Sequence, residues 1–421
     1  MSRFLRVFLT LLPAVLTVAP SLGLAGTITR FSAGAIALVL TLIFWNNTSA
    51  DNKRRGLFAI AVVIISLFIA TLAAPSLYFG ISRFLNWALF LPLFFLFRNN
   101  TRLLDPFLKG MLIASGIQMV GVLLQRLGII GGLWGGQIIS GIGYDPNYSQ
   151  WLVRYTGFVL DANSLGMIFA ISAITALHFS TQNTFSKTVR SFYFLFSMLN
   201  LFSILLTGSR GGILITAISL FAYLLISRKY ILLGRLIPAV ILVLIAGIQF
   251  AGFEFLISSI FAIFDGTDTS ANLRAELWQY AISTSGNETL FIGQGFGARN
   301  PSLFVDQKSI FVDPALLKYT TLDNSWLKTY LELGGFAVIA IGWLFIIAIR
   351  QNLARVKSKA IFSGLPAALL ILFLIRSVSI DAFDINPWNS VIWIILGSMI
   401  GEQAVEKPGQ NTLSVTEGIK R

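Results

Sequence analysis

Arg210 is the residue of this sequence best placed to bind an anion. It stands in TGSRGG, residues 207–212, between two apolar runs, and Ser209 and Gly211 flank it where a helix would begin. The glycines leave the backbone exposed. Free amides at a helix N-terminus, joined by a guanidinium, form a receptor for phosphate oxygens. The alternative is that Arg210 caps a tight helical hairpin and contacts only lipid headgroups.

A second arginine, Arg274, belongs to SANLRAELW, residues 270–278, which has helical spacing. Arg274 and Trp278 are four residues apart, so both lie on one face of such a helix. A helix lying on the membrane surface would look the same, because Trp is enriched at that boundary. The GQGFG that follows at residues 293–297 lacks a βαβ context, so we interpret it as a turn that lets backbone pack closely.

Asp323 opens the segment DNSW, together with Asn324 and Trp326, just ahead of a long apolar run. An aspartate in front of a helix often caps it by accepting a backbone amide bond. It could instead be a carboxylate base whose pKa is raised by partial burial beside a bound hydroxyl. Arg154, Asp161 and Asn163 form a similar polar cluster before another apolar run.

Composition defines the class of protein that must position these residues. Of 421 residues, 56% are hydrophobic and 12% are charged, and several windows hold the eighteen or more apolar residues needed to cross a bilayer. Alternating amphipathic strands of the barrel kind are lacking. The sequence contains no cysteine, which excludes a disulfide framework and thiol catalysis. We therefore predict an all-α polytopic membrane protein.

About twelve transmembrane spans are predicted, and the longest polar segment, Phe264 to Glu332, lies between the ninth and the tenth. We expect this loop to be partly helical and to carry the working residues. Spans one to nine fall in residues 1–253, the loop in 254–333, spans ten to twelve in 334–401 and a polar tail in 402–421. The spans are 7–25, 31–46, 57–76, 80–97, 107–125, 163–180, 191–207, 212–226, 236–253, 334–350, 361–379 and 388–401.

The basic residues orient these spans. If the N-terminus starts inside, every inner connection is basic, with about 20 of the 31 Lys and Arg inside and about 13 of the 18 acids outside. Both termini are then cytoplasmic, and the large loop lies on the outer side of the membrane. The net charge of +13 is a topology signal and does not indicate a nucleic-acid partner. Mid-span charge is scarce, with Arg83 and Arg376 predicted inside spans, which favours chemistry at the outer leaflet over transport.

Four motifs in a fixed order resemble the superfamily of O-antigen polymerases and O-antigen ligases. They are RYTGFVLDANSLG at residues 154–166, TGSRGG, LRAELW followed by GQGFG, and DNSWLKTYLELGG at residues 323–335. All four fall on the predicted outer side. The resemblance covers roughly Arg154 to Gly335.

The resemblance implies a membrane-embedded glycosyltransferase with a fold like that of the GT-C enzymes, which needs neither a metal nor another cofactor. Its donor would be a glycan linked to undecaprenyl diphosphate, its acceptor a second lipid-linked glycan, and a chain-length regulator would be a partner. Arg210 and Arg274 become the pair that holds the donor diphosphate, and Asp323 becomes the base for the acceptor hydroxyl. Substrate contacts are then expected from Arg154, Asp161, Asn163, Ser209, Gly211, Trp278, Asn324 and Trp326.

One departure from the family pattern separates the branches. Ligases that load glycan onto lipid A-core carry a His immediately before the Asn of the loop motif, whereas this chain has Asp323. The sequence therefore resembles the polymerase branch. Two alternatives stay open: a ligase that uses Asp in place of His, and a transporter of the lipid-linked glycan, against which the scarcity of mid-bilayer charge argues.

Overall fold

The computed structural model describes most of the apolar part of the chain. Asp323 and the tail lie outside the described residues, Arg154 is described only by its backbone, and the large loop is described in part. The described residues are 3–45, 56–129, 139–140, 153–159, 161–251, 265, 269–283, 285–286, 290–297, 324–357, 364–378, 383 and 388–401.

Within these ranges the protein is helical, apart from one short antiparallel pairing of β1 (Ile139–Ser140) with β2 (Val153–Arg154). The predicted all-helical class is confirmed. The helices are α1 (Arg3–Val18), α2 (Gly23–Trp45), α3 (Leu57–Leu72), α4 (Leu77–Ala88), α5 (Leu91–Asn99), α6 (Leu104–Arg126), α7 (Ala162–Ser180), α8 (Lys187–Leu206), α9 (Arg210–Ile226), α10 (Leu233–Ala251), α11 (Thr269–Ser283), α12 (Ser325–Leu333), α13 (Gly335–Lys357), α14 (Gly364–Arg376) and α15 (Trp388–Ile400).

Six helical segments of the described chain are long and apolar enough to cross a membrane, while α3, α9, α14 and α15 are apolar but shorter. The number of twelve spans stays a prediction. The six segments are Ala25–Ile43, Leu77–Asn99, Thr101–Arg126, Ala162–Ser180, Lys187–Leu206 and Gly335–Arg355.

Helix α7 is the centre of the bundle. Nearly every one of its residues is buried, and it packs against α6, α8, α9 and α14. A helix that is apolar all round can be stable only inside a bundle, and the sequence ANSLGMIFAISAITALHFS has that character. Small side chains allow close approach to its neighbours. The hydroxyl of Ser172 donates to the carbonyl of Met111 on α6, and the carbonyl of Ala173 accepts from the hydroxyl of Ser197 on α8. The residues at the two ends of α7 are therefore held firmly in place.

Three expectations from the hydropathy pattern need correction. The span predicted at 80–97 lies in the segment Leu77–Asn99, which a turn divides into α4 and α5, because Pro92 lies in the first turn of α5 and cannot donate the bond that would continue α4. The first connection lies at Ala19–Leu22 instead of at 26–30, so Arg30 is inside α2. Arg376 is the last residue of α14 and not a mid-span charge.

Basic side chains gather at the end of the bundle where α7 terminates. Arg190 donates to the carbonyl of Ser180 at 3.0 Å, and Lys229 donates to the hydroxyl of Thr181. Arg355, on the last turns of α13, donates to the carbonyl of Ser398 at 2.9 Å. This clustering agrees with the predicted inner side, and the opposite end, where α7 begins, is then the outer one.

Candidate active site

The end of α14 is a junction on which three helix N-termini meet. Arg376 is buried, and its Nη2 donates to the backbone carbonyl of Asn163 at 3.3 Å and to Oγ of Ser209 at 3.2 Å. The next residue, Ser377, accepts from the backbone amide of Ser325 at 2.8 Å. The Arg376–Ser377 junction thus joins the first turns of α7, α9 and α12.

Ser209 connects α9 to α7 through its hydroxyl. This Oγ donates to Oδ1 of Asn163 at 3.0 Å and accepts from the amide of Gly212 at 3.3 Å, which caps α9. Gly166 and Gly212 allow the approach, because an added Cβ at either would come within 3.2 Å of the Ser209 side chain. The structure therefore brings together two predicted site residues, Asn163 and Ser209, that are 46 positions apart in sequence.

Arg210 is the first residue of α9 and is half-buried beside this junction. Gly208 before it has a φ of 59°, a left-handed conformation that glycine adopts without strain. The turn thereby presents Arg210 and the first-turn amide of Gly211 at the same point. At the start of α7, the exposed carboxylate of Asp161 accepts from the amides of Asn163 and Ser164 at 3.2 and 2.6 Å, so it is an N-cap.

The start of α12 docks on the same junction. The indole Nε1 of Trp326 donates to Oγ of Ser377 at 2.7 Å, and the ring packs against Phe345 and Phe383. The N-cap of α12 is Asn324, whose Oδ1 accepts from the amide of Leu327 at 3.0 Å. The structure thus assigns this cap to Asn324, and Asp323, which was considered for it, lies outside the described residues.

Arg274 and Trp278 lie on α11, as the helical spacing predicted, and both are half-buried. Trp278 packs with Leu327 and Tyr330 of α12 around the buried Leu331. Contact with α12 therefore positions the helix that carries Arg274, and the N-terminus of α12 is tied to the Arg376–Ser377 junction. Arg274 is therefore connected to the Arg376–Ser377 junction indirectly, through the packing of α11 against α12.

The GQGFG segment is a close-packing turn, as predicted. Gly293, Gly295 and Gly297 all have positive φ values, of 77°, 93° and 75°. The amide of Gly297 donates to Oε1 of the buried Glu332 at 2.9 Å, and the amide of Phe296 donates to the carbonyl of Ala70 at 3.0 Å. Through these bonds the segment anchors this part of the large loop to α3 and to the end of α12.

Three residues that hold the site together could not be found from the sequence. Arg376 looks like an isolated mid-span charge in the hydropathy pattern, and Ser377 has no signal at all. Trp388, the first residue of α15, donates from Nε1 to Oγ of Ser164 at 3.0 Å, so α15 is the third helix, after α14 and α9, that contacts the start of α7. The one available signal for Arg376 is that a charged residue in a span must face a partner or a polar cavity.

The assembled arrangement suits a bound anion. Each helix N-terminus carries roughly half a positive charge, and the first turns of α7, α9 and α12 converge where Arg376 is buried and Arg210 is half-buried. Guanidinium groups bind phosphate oxygens through forked hydrogen bonds. Such a site could hold a diphosphate and stabilise the negative charge that grows on it as a leaving group.

His178 lies at the opposite end of α7 from this site. Its Nδ1 is 3.2 Å from the hydroxyl of Tyr223, and its Nε2 is 2.8 Å from Nε2 of Gln182. Lys229 contacts the same Tyr223 hydroxyl, at 3.1 Å from its Nζ. Burial lowers the pKa of Lys229 to about 8. His178 is thus a hydrogen-bonded packing residue of the basic end.

Residues 195–342 match the family model described as O-antigen ligase. The match confirms the resemblance to the superfamily of O-antigen ligases and polymerases, and it includes Arg210, Arg274 and Asp323. Asn163 and Arg376 lie outside the matched residues although they contact Ser209 within them. No curated protein matches the sequence.

Proposed function

We propose that this chain is a glycosyltransferase of the O-antigen ligase and polymerase superfamily that polymerises glycan repeat units carried on undecaprenyl diphosphate. The observation that carries the proposal is the convergence of three helix N-termini with Arg210 and the Arg376–Ser377 junction. Electropositive amides and guanidiniums at one end of the bundle fit a lipid diphosphate, whose lipid would lie along the helices.

The chemistry follows from the leaving group. An acceptor sugar hydroxyl attacks the anomeric carbon of the donor, the bond from that carbon to the diphosphate oxygen breaks, and its electron pair stays on the diphosphate. Arg210 and Arg274 bind the growing charge, which their forked donors stabilise more strongly in the transition state than in the ground state. Asp323 accepts the proton of the acceptor hydroxyl.

The acceptor decides between the two branches of the superfamily. Asp323 in place of the histidine of the ligases favours a lipid-linked acceptor and therefore chain growth. The description of the matching family as O-antigen ligase favours the second candidate, transfer to lipid A-core or another acceptor. Both candidates use the same donor and the same arginines, so the product separates them. The site is proposed to face the periplasm of a bacterial inner membrane.

The test is reconstitution of the purified protein in lipid with a polyprenyl-diphosphate-linked oligosaccharide as its one substrate, followed by mass spectrometry. A ladder of added repeat units, with release of polyprenyl diphosphate, is expected. Product that forms only after lipid A-core is added would replace polymerisation by ligation. Movement of unchanged substrate across the bilayer would contradict any enzymatic function.

A further inference from the structure

A polar cavity of about 190 Å³ lies between α2 and α4. Its lining residues are Thr27, Arg30, Phe31, Ser82, Asn86, Leu89 and Phe90. At ~30 Å³ for each water molecule, the volume holds roughly six waters. The cavity therefore suits a small anion of the size of a diphosphate, and it is too small for a complete glycan.

Arg30 gives this cavity its charge. It is the eighth residue of α2, which places it about 10 Å along the helix from Gly23 at 1.5 Å per residue. Its Nη2 donates to the hydroxyl of Thr27 at 3.2 Å, and among the described residues no carboxylate pairs with it. A guanidinium inside a span is costly unless it meets a partner or a polar cavity, and its fork matches phosphate.

The opposite wall offers neutral hydrogen-bonding groups. Within the described part of the chain, the side chains of Ser82 and Asn86 make no hydrogen bond, so their hydroxyl and amide can both reach a ligand. The backbone carbonyl of Asn86 accepts from the side chain of Asn389, which ties this wall to α15. A phosphate held by Arg30 could therefore also be contacted by Ser82 and Asn86.

The neighbours of the lining residues indicate an amphiphilic occupant. Gly34 lets α2 approach the α4–α5 connection closely, because an added Cβ would lie 2.7 Å from the side chain of the lining residue Leu89. Ile28 and Ile81, which are next in sequence to the lining residues Thr27 and Ser82, are 58% and 45% exposed. A charged pocket edged by exposed apolar side chains fits a lipid phosphate better than free inorganic phosphate.

We propose that this cavity is a second lipid-phosphate site, which holds the diphosphate of the lipid-linked acceptor while the donor occupies the junction site. This assignment rests on the proposed polymerase function, since chain growth needs two lipid-linked glycans at once. The two sites are connected through α15, whose adjacent residues Trp388 and Asn389 contact Ser164 at one site and Asn86 at the other. That arrangement brings the two headgroups to neighbouring positions.

The experiment counts bound polyprenyl diphosphate by native mass spectrometry of the full-length protein. Wild type should bind two copies, whereas Arg30→Gln should bind one, with affinity for the second copy at least tenfold weaker. Ser82→Leu, which fills the cavity from the other wall, should give the same loss. Arg83→Gln is the matched control, because Arg83 lies on α4 outside the lining and packs over the ring of Phe79 at 5.1 Å.

The outcomes separate this inference from the proposed function. Two copies on Arg30→Gln and on Ser82→Leu would overturn the second site. Displacement of the second copy by equimolar phosphatidylglycerol would make it a general phospholipid site and overturn the acceptor role. One copy on wild type, lost in Arg210→Ala, would overturn this inference alone, while no copy on wild type would remove the proposed function as well.

Discussion

At the residue scale, Arg376 has two structural roles, hydrogen bonding to neighbouring helices and ending its own helix, which its hydropathy alone does not reveal. One nitrogen of its buried guanidinium donates to α7 and to α9, and the residue also terminates α14. The C-terminal end of α14 carries a partial negative charge, which stabilises a cation there. Arg376 is therefore a positioning residue for the Ser209 hydroxyl, whereas Arg210 is half-buried at the first position of α9.

This difference predicts opposite behaviour of two alanine variants. Arg376→Ala should lower the free energy of unfolding by about 1–3 kcal/mol, because it removes a charged donor from the carbonyl of Asn163 and the buried hydroxyl of Ser209. Arg210→Ala should lower stability by less than Arg376→Ala does, because Arg210 is only half-buried, yet abolish chain growth. Thermal denaturation and product ladders measure both effects. Equal stability of the two variants would contradict the positioning role.

Lys229 predicts a pH dependence of stability. Burial lowers its pKa from 10.5 to about 8, so between these values the unfolded chain binds more protons than the folded one. The free energy of unfolding therefore rises with pH across that window. Melting temperatures from pH 7 to 10.5 should show the rise in wild type and a smaller one in Lys229→Met. The exposed Lys187 supplies the control, since Lys187→Met should keep the wild-type slope.

At the element scale, caps and turns decide which residues serve the fold and which remain for chemistry. Asn324 and Asp161 are occupied as N-caps of α12 and α7. A cap signal is local, and the sequence predicted one at the start of α12 but assigned it one residue early. The register differs by one position because two capping residues, Asp323 and Asn324, stand side by side, and only tertiary contacts select between them.

The corrected cap gives a prediction for neighbouring residues. Asn324→Ala should destabilise the protein by about 1 kcal/mol through loss of the bond to the Leu327 amide. Asp323→Asn should leave the melting temperature unchanged and remove polymer growth, because an amide cannot take the acceptor proton. Activity that persists in Asp323→Asn would exclude this residue as the base, whatever the stability of Asn324→Ala.

The GQGFG turn makes the sharpest prediction about an element. A Cβ added at Gly295 would lie 2.4 Å from the carbonyl oxygen of Ala73, and its φ of 93° disfavours any other residue. Gly295→Ala should therefore destabilise by about 1–3 kcal/mol through overpacking and backbone strain. Gly342→Ala is the matched control, because nothing lies within 4 Å of its added Cβ. Equal melting temperatures would contradict the close packing of the turn.

At the scale of the whole molecule, the sequence could predict the helical class and the placement of most helices, since apolar runs of bilayer length have few alternatives. It could also predict that Ser209, Asn163 and Trp326 share one end of the bundle. The Arg376–Ser377 junction was out of reach because contacts 167 positions apart leave no periodic trace. The cavity beside Arg30 could not be predicted either, because it depends on where α2 begins and on its contacts with α4.

The predicted orientation of the bundle can be tested cleanly because the chain contains no cysteine. Thr184→Cys lies in the turn between α7 and α8, beside the basic end, and Ser283→Cys ends α11 in the large loop; both positions are exposed. If positive charge marks the cytoplasmic side, a membrane-impermeant maleimide should label Ser283→Cys in intact spheroplasts. Thr184→Cys should react only after the membrane is opened. The reverse pattern would put the junction site in the cytoplasm, where a donor displayed in the periplasm could not reach it.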